Sequence, residues 1–150
     1  TPENAAEHHF DPNRVAVIGH SFGGWLALLS AARQAPNVCV AVMAAWNVGW
    51  LAQHHEEKPA DWAALIADFR DVTDPAGGPL RTDAEALLRE VIAAPAEWDY
   101  LSQAPALVDR PLLLVAATQD TADAGPAMHD QLAAAVRTAG GAMVRSVTLK

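Results

Sequence analysis

The chain has 150 residues, of which 51% are hydrophobic, and a formal net charge of −8 at pH 7. A chain of this length and hydrophobic content can form one packed domain, which argues against extended disorder. The acidic balance argues against nucleic acids and anionic membranes as partners, because binding to either requires clustered lysine and arginine.

Two further features of the composition limit the class of protein. No stretch approaches the roughly 20 apolar residues that a membrane-spanning helix needs. Cys39 is the only cysteine, so an internal disulfide is excluded, and it lies in an apolar run that predicts a buried strand. These features leave both the cytosol and secretion open.

The first elements in chain order are a strand, a helix and a second strand. Residues 14–19 form a short apolar run without polar alternation, which predicts a strand covered on both faces, as in a parallel sheet. A helix is predicted over 22–35, and a second buried strand over 38–45. Short loops between these elements predict a parallel crossover.

Residues 46–110 interrupt this alternation. A helix is predicted over 60–71, because four apolar residues recur there with helical spacing. These residues are Trp62, Leu65, Ile66 and Phe69. The segment Thr82-Asp83-Ala84-Glu85 matches a capping box, so a second helix is expected to start there and to end at Pro95. Two helices between strands form either a lid over a site or a plain surface excursion, and both alternatives stay open.

The alternation of strand and helix then returns. A third buried strand is predicted over 111–117, a helix over 126–138, and a fourth strand over 143–149. Gly140 and Gly141 are expected to close the helix. Four strands and three crossovers predict the α/β class with a parallel sheet.

The pentapeptide Gly19-His20-Ser21-Phe22-Gly23 stands between the first strand and the first helix. A serine hydroxyl is a poor nucleophile until a base takes its proton and a tight turn presents its oxygen, and Gly-x-Ser-x-Gly after a strand is typical of such a turn. Glycines at 19 and 23 are expected to remove side chains that would collide across the turn. Gly24 would extend this small surface where the helix meets the sheet.

Two stretches carry a resemblance to a known family. The stretch NRVAVIGHSFGG (13–24) resembles the nucleophile region of α/β-hydrolases, and RPLLLVAATQD (110–120) resembles their strand that ends in the catalytic acid. Within that superfamily the chain is most similar to the prolyl-oligopeptidase-like and dienelactone-hydrolase-like branch, as is WDYLS (98–102). The resemblance implies a partial α/β-hydrolase fold of four mostly parallel strands with a two-helix insertion at about 50–95. Residues 1–150 would be the C-terminal part of one catalytic domain, incomplete at both ends.

The resemblance also implies roles for individual residues. Ser21 would be the nucleophile and Asp120 the triad acid, in the superfamily's chain order of serine, acid and histidine. Asp123 is the alternative acid, or a cap of the next helix. The backbone N–H of Phe22 would form half of an oxyanion hole.

The family histidine should follow the last strand, and no histidine stands there in this chain. The base is therefore expected outside the chain, and the 150 residues alone are expected to be inactive. Within the chain, His20 is expected to point away from the base position, and His129 to lie solvated on its helix. The segment His54-His55-Glu56-Glu57 is predicted to be a solvated turn rather than a metal site.

These observations lead to a functional expectation for the parent protein. It would be a serine hydrolase that cleaves a small-molecule ester or a peptide through an acyl-enzyme, as a prolyl-oligopeptidase-like peptidase. The alternatives are a carboxylesterase or dienelactone-hydrolase-like enzyme, an acyltransferase, and a non-catalytic binding module. No metal or organic cofactor is implied. The isolated chain is expected to be poorly soluble, because its apolar sheet would have an open edge and uncovered faces.

Overall fold

A computed structural model describes residues 5, 7–9, 11, 14–33, 38–73, 80–120 and 126–150. The strands are β1 (Val15–His20), β2 (Val38–Met43), β3 (Leu112–Ala117) and β4 (Val144–Leu149). The helices are α1 (Phe22–Ala32), α2 (Val48–Gln53), α3 (Pro59–Val72), α4 (Ala84–Ala93), α5 (Pro95–Trp98) and α6 (Pro126–Thr138), with a 3₁₀ turn at Ala104–Leu107. All strands pair in parallel in the order β1-β2-β3-β4, which confirms the predicted α/β class.

The chain divides into two compact units. The first comprises residues 1–46 and 103–150 and contains the sheet with α1 and α6. The second comprises residues 47–102 and contains α2 to α5. The two predicted helices of the insertion are confirmed as α3 and α4, but the short helices α2 and α5 were not predicted. Pro95 does not simply end α4: it is the first residue of α5, a position where proline loses no helical hydrogen bond.

One face of the sheet is buried and the other is open. The register aligns Val17, Val40, Leu112 and Val144 across the buried face, onto which α1 and α6 both pack. The adjacent row runs along the open face and comprises Ile18, Ala41, Leu113 and Arg145. Ile18 is 69% exposed and Leu113 37% exposed, so the described residues cover one of the two apolar faces and leave the other open, as expected for the isolated chain. Cys39, predicted to be buried, is likewise exposed on the open face.

The position of the helices determines which face is open. An apolar strand sequence shows that both faces are suited to burial, but it does not show where the crossover helices pack. Both crossover helices that flank the sheet lie on the same side, so alternate residues of each strand stay in contact with solvent.

Two helix ends show how local sequence sets the boundaries. Asp83, and not Thr82, caps α4: its carboxylate accepts the N–H of Ala86 at 2.6 Å. The capping-box prediction therefore placed the cap one residue early. Gly140 closes α6 with φ +104°, as predicted, and the N–H of Gly141 donates to the carbonyl of Val136.

Hydrogen bonds link the beginning of the second unit to its end. Asn47 Nδ2 donates to Asp99 Oδ1 at 2.6 Å, and the carboxylate of Asp99 also accepts the N–H of Leu101 and the hydroxyl of Ser102. Asp99 is buried, and its four-helix unit therefore begins and ends at one polar cluster. Among the described helices, none is both long enough and apolar enough to cross a bilayer.

Candidate active site

Ser21 occupies a tight turn between β1 and α1. Its backbone has φ 52° and ψ −125°, a conformation that is rare for residues with a side chain. Its N–H donates to the carbonyl oxygen of Met43 at 2.9 Å, and its own carbonyl accepts from Gly24 and Trp25. The neighbouring strand and the first turn of the helix therefore hold the strained backbone in place.

The side chain of Ser21 does not serve the helix that it precedes. Serine at this position usually has an extended backbone and bonds an N–H of the first turn. The positive φ of Ser21 turns the side chain elsewhere, and no such capping bond forms. Ser21 is half-buried, and its hydroxyl is not committed to capping α1.

The glycines around Ser21 differ in how much space each leaves for a side chain. A Cβ at Gly19 would lie closer than 3.0 Å to backbone atoms of Gly23 and Gly24, so only glycine fits there. A Cβ at Gly24 would lie 2.8 Å from the Cβ of Ala45. The prediction for Gly23 is wrong, because a Cβ there would face open space: apart from its chain neighbours and the backbone of its own helix, no described atom lies within 4 Å. The backbone of Gly23 is the obstacle that requires glycine at 19.

The start of α1 is suited to negative charge. Phe22 is the first residue of α1, and the N–H groups of Gly24 and Trp25 in the same turn donate to the carbonyl of Ser21. They lie at the positive end of the helix dipole, and α1 has no acidic residue in its first turn. The start of α1 therefore gives a field that favours negative charge next to Ser21.

Asp120 follows β3 in a tight turn at the same edge of the sheet. Its N–H donates to the carbonyl of Ala117, and its side chain is half-buried. Ser21 and Asp120 both stand at the carboxyl ends of parallel strands, and β1 and β3 are separated by β2 alone. Two strand spacings correspond to about 10 Å, which is too far for direct contact and leaves room for an intervening group. Asp123 lies outside the described residues.

His129 departs from its predicted environment. It is 0% exposed, and its Nε2 accepts the backbone N–H of Ala45 at 3.1 Å. The proton of the neutral ring is therefore on Nδ1, which has no hydrogen-bond partner among the described residues. Burial lowers the pKa of His129, while the charges of Asp120 and Asp130 act in the opposite direction.

The sequence contained a signal for the burial of His129. Helix α6 buries five side chains on one face: Met128, His129, Leu132, Ala133 and Val136. His129 stands three and seven residues before Leu132 and Val136, so it belongs to the apolar stripe and not to the solvated side.

The remaining histidines form no recognisable ligand set. His20 is exposed at the end of β1. The segment 54–57 is a turn, as predicted, and in it the Nδ1 atoms of His54 and His55 bond the backbone carbonyls of Trp50 and Ala52. Within the described ranges, no group of three or more histidine, cysteine, aspartate or glutamate side chains is arranged to hold a metal ion.

The fold is similar to that of several solved hydrolases. A protein from Klebsiella pneumoniae described as a dienelactone hydrolase aligns with 99% of this chain and 43% of its own, at 15% identity and a TM-score of 0.55. A puromycin-hydrolyzing peptidase from Mycobacterium tuberculosis aligns with 98% of this chain and 20% of its own, at 18% identity and a TM-score of 0.59. A protein from Lactobacillus plantarum described as a carboxylesterase aligns with 99% and 51%, at 15% identity and a TM-score of 0.57.

The chain thus spans at most about half the length of these three structures. No curated protein sequence matches it significantly. The sequence model of the alpha/beta hydrolase family matches residues 3–148, which is nearly the whole chain. The resemblance inferred from the Ser21 and Asp120 segments is therefore confirmed at the level of the family: the chain belongs to the α/β hydrolase family.

Proposed function

We propose that this chain is part of a serine hydrolase in which Ser21 attacks the carbonyl carbon of an ester or amide. The observation that carries the proposal is the backbone of Ser21, which is strained at φ 52° between β1 and α1. Strain of this kind is retained where the surrounding structure enforces it, and it is frequent at functional sites. Here it directs the hydroxyl away from the capping role that serine usually has at this position.

The other proposed participants follow from their places at the same edge of the sheet. A histidine takes the proton of the Ser21 hydroxyl as its oxygen bonds to the carbonyl carbon, and it then gives that proton to the leaving group. The Phe22 N–H stabilises the oxyanion that forms during this step. Asp120 orients the histidine and stabilises its protonated form. Water then attacks the resulting acyl-enzyme and releases the acid product.

The histidine that serves as the base is proposed to lie outside these 150 residues. His129 is unsuited to the role because it is buried and its Nε2 already accepts the Ala45 N–H. His20 is exposed on the strand residue next to the turn, and alternating strand geometry directs it away from the buried face.

For the substrate class we propose amides of peptides, with carboxylic esters as the alternative. The resemblance to the prolyl-oligopeptidase-like branch favours a peptidase, and one solved neighbour is described as a puromycin-hydrolyzing peptidase. Esterases and peptidases share the same triad, so the choice depends on the binding pocket and not on Ser21.

The test of the nucleophile is labelling of the full-length protein by a fluorophosphonate. Ser21→Ala is expected to abolish labelling and to lower kcat by about 10⁶-fold, as loss of a serine nucleophile does in related chemistry. Ser30→Ala, on the exposed side of the same helix, is the matched control and should label normally. Absence of labelling in the wild-type protein would contradict the proposal and favour a non-catalytic binding module.

The test of the acid compares two conservative variants. Asp120→Asn is expected to lower kcat by about 10⁴-fold, because the asparagine no longer stabilises the protonated histidine. Asp123→Asn is the control, and a larger loss in that variant would reassign the acid to Asp123.

Rapid fluorophosphonate labelling of the 150-residue chain alone would contradict a base that lies outside it.

The substrate class is assigned by comparing the turnover of aminoacyl anilides with that of matched esters. Product analysis with added alcohols detects an acyltransferase.

A further inference from the structure

Met43 ends β2, and Met43, Ala44 and Ala45 are each bonded to a different part of the chain. The carbonyl of Met43 accepts the N–H of Ser21, and the N–H of Ala44 donates to the carbonyl of Val115 in β3 at 2.9 Å. The next N–H, that of Ala45, donates to Nε2 of His129 in α6 at 3.1 Å. The turn after β2 is therefore fixed at successive positions by the serine turn, the next strand and a helix.

This turn has an unfavourable backbone conformation of its own. Ala44 has φ 45°, and an alanine gains nothing from such a conformation. The chain adopts it only because contacts on both sides enforce it. The bond from Ala45 to His129 is the contact on the far side of Ala44, and the bond from Met43 to Ser21 is the contact on the near side.

Ala45 also lies directly against the helix that follows Ser21. A Cβ added at Gly24 would lie 2.8 Å from the Cβ of Ala45 and 3.3 Å from the carbonyl oxygen of Gly19. The methyl group of Ala45, which is 0% exposed, therefore occupies the space beside the first turn of α1. A displacement of Ala45 would remove the surface against which that turn is packed.

We propose that His129 is a positioning residue of the Ser21 site: by accepting the Ala45 N–H, its imidazole fixes the turn after β2, and this turn fixes Ser21 and the Phe22 N–H at the start of α1. The inference rests on the proposed role of Ser21 as nucleophile. His129 does not touch the substrate or the Ser21 hydroxyl in this scheme. It acts through Ala45 and Met43.

The arrangement works with the neutral imidazole only. Protonation places a hydrogen on Nε2, so that two N–H groups would face each other across the 3.1 Å contact. Burial keeps the ring neutral by lowering the pKa of His129, and the carboxylates of Asp120 and Asp130 oppose this effect. Activity should therefore fall on acidification through a step that belongs to His129, in addition to the step of the catalytic base.

The experiment compares two substitutions in the full-length protein. His129→Gln keeps an acceptor oxygen near the position of Nε2 but does not titrate, and His129→Leu keeps a similar volume without an acceptor. Near neutral pH we expect His129→Leu to lower kcat and the fluorophosphonate labelling rate by about 10- to 100-fold with little change in KM, because a small misplacement of the nucleophile is costly. His129→Gln should recover most of this loss, and its acid limb should lack one protonation step.

Two results would overturn the inference. One is an unchanged labelling rate in His129→Leu, and the other is an equal loss in both variants, which would indicate side-chain volume and not the hydrogen bond. If His129→Leu does not fold, NMR of the wild-type protein decides: the amide resonance of Ala45 should shift with the titration of His129. An Ala45 amide resonance that does not shift as His129 titrates would contradict the inference.

Ser21→Ala separates this inference from the proposed function. If Ser21→Ala still labels at the wild-type rate, the proposed nucleophile is wrong. The hydrogen bond from Ala45 to His129 can still be tested by NMR in that case.

Discussion

The backbone N–H of Ser21 donates to the carbonyl oxygen of Met43 at 2.9 Å. The residue after Ser21 begins α1, and the residue after Met43 begins the turn that follows β2. Ser21 has φ 52° and Ala44, next to Met43, has φ 45°. One strained residue thus donates this hydrogen bond, and the other directly follows the residue that accepts it. The strain at Ser21 has a proposed catalytic use, whereas the strain at Ala44 is a consequence of the path that the chain takes from β2.

Replacing Ala44 by glycine should relieve that second strain. Glycine adopts positive φ without the penalty of about 1–2 kcal/mol that a Cβ incurs, although it loses more entropy on folding. We expect Ala44→Gly to raise the free energy of unfolding by about 0.5–1 kcal/mol in urea denaturation. Ala45→Gly is the matched control: it removes a buried methyl group at a position without positive φ and should be destabilising. Equal destabilisation by both variants would show that Ala44 is not strained.

The glycines at 19 and 23 should respond in opposite ways to alanine. Gly19→Ala places a Cβ against the backbone of Gly23 and Gly24, which cannot move without displacing α1. We expect a loss of at least about 2 kcal/mol in the free energy of unfolding. Gly23→Ala meets open space within a helix and should gain about 0.5–1 kcal/mol. Thermal or urea denaturation measures both, and a destabilised Gly23→Ala would contradict this assignment.

Much of the fold was predictable because its signals are local. Apolar runs mark the strands, and Gly-x-Ser-x-Gly marks the turn at Ser21, so these elements needed only neighbouring residues. The role of Gly23 was not predictable in this way, because the direction in which α1 leaves β1 decides which glycine is crowded. Which face of the sheet is open was not predictable for a related reason, since the composition of a strand does not show on which side the helices pack.

The contact between His129 and Ala45 shows a different limit. The two residues are 84 positions apart, and the sequence around either residue does not indicate the other as its partner. The helical stripe of α6 predicts that His129 is buried, but its partner depends on how α6 packs against the end of β2. The Asn47–Asp99 pair was missed similarly, because its members are 52 residues apart at the two ends of an insertion.

The burial of His129 predicts a pH dependence of stability. Its pKa in the folded protein is below the unfolded value of 6.5, so the unfolded chain takes up a proton first as the pH falls. The free energy of unfolding should therefore decrease as the pH falls below 6.5 and stop decreasing below the folded pKa. Urea denaturation across this range should show a steeper decrease for the wild-type protein than for His129→Gln. Parallel curves for the two proteins would exclude His129 as the source.

Asp99 is expected to hold the second unit together. Asp99→Asn replaces one carboxylate oxygen by an amide that cannot accept hydrogen bonds, although the donors from Asn47, Leu101 and Ser102 remain. Loss of buried bonds to a charged group should cost about 2–3 kcal/mol. Hydrogen exchange in α2 and α5 should accelerate accordingly, whereas Asp68→Asn on the exposed side of α3 should leave it unchanged. If hydrogen exchange in α2 and α5 is equally fast in both variants, the hydrogen bonds of Asp99 do not stabilise the second unit.

Leu113 and Leu114 offer a direct test of the open sheet face, because they are adjacent in β3 and point to opposite sides. Leu113 is 37% exposed and Leu114 is 0% exposed. In the 150-residue chain, Leu113→Thr should raise the soluble yield with little change in stability, since threonine suits a strand and removes apolar surface from the open face. Leu114→Thr should lower the free energy of unfolding by about 2–4 kcal/mol, because it leaves a cavity and buries a hydroxyl. Equal destabilisation by both substitutions would mean that the open face is covered in solution, and the expected poor solubility would then need another cause.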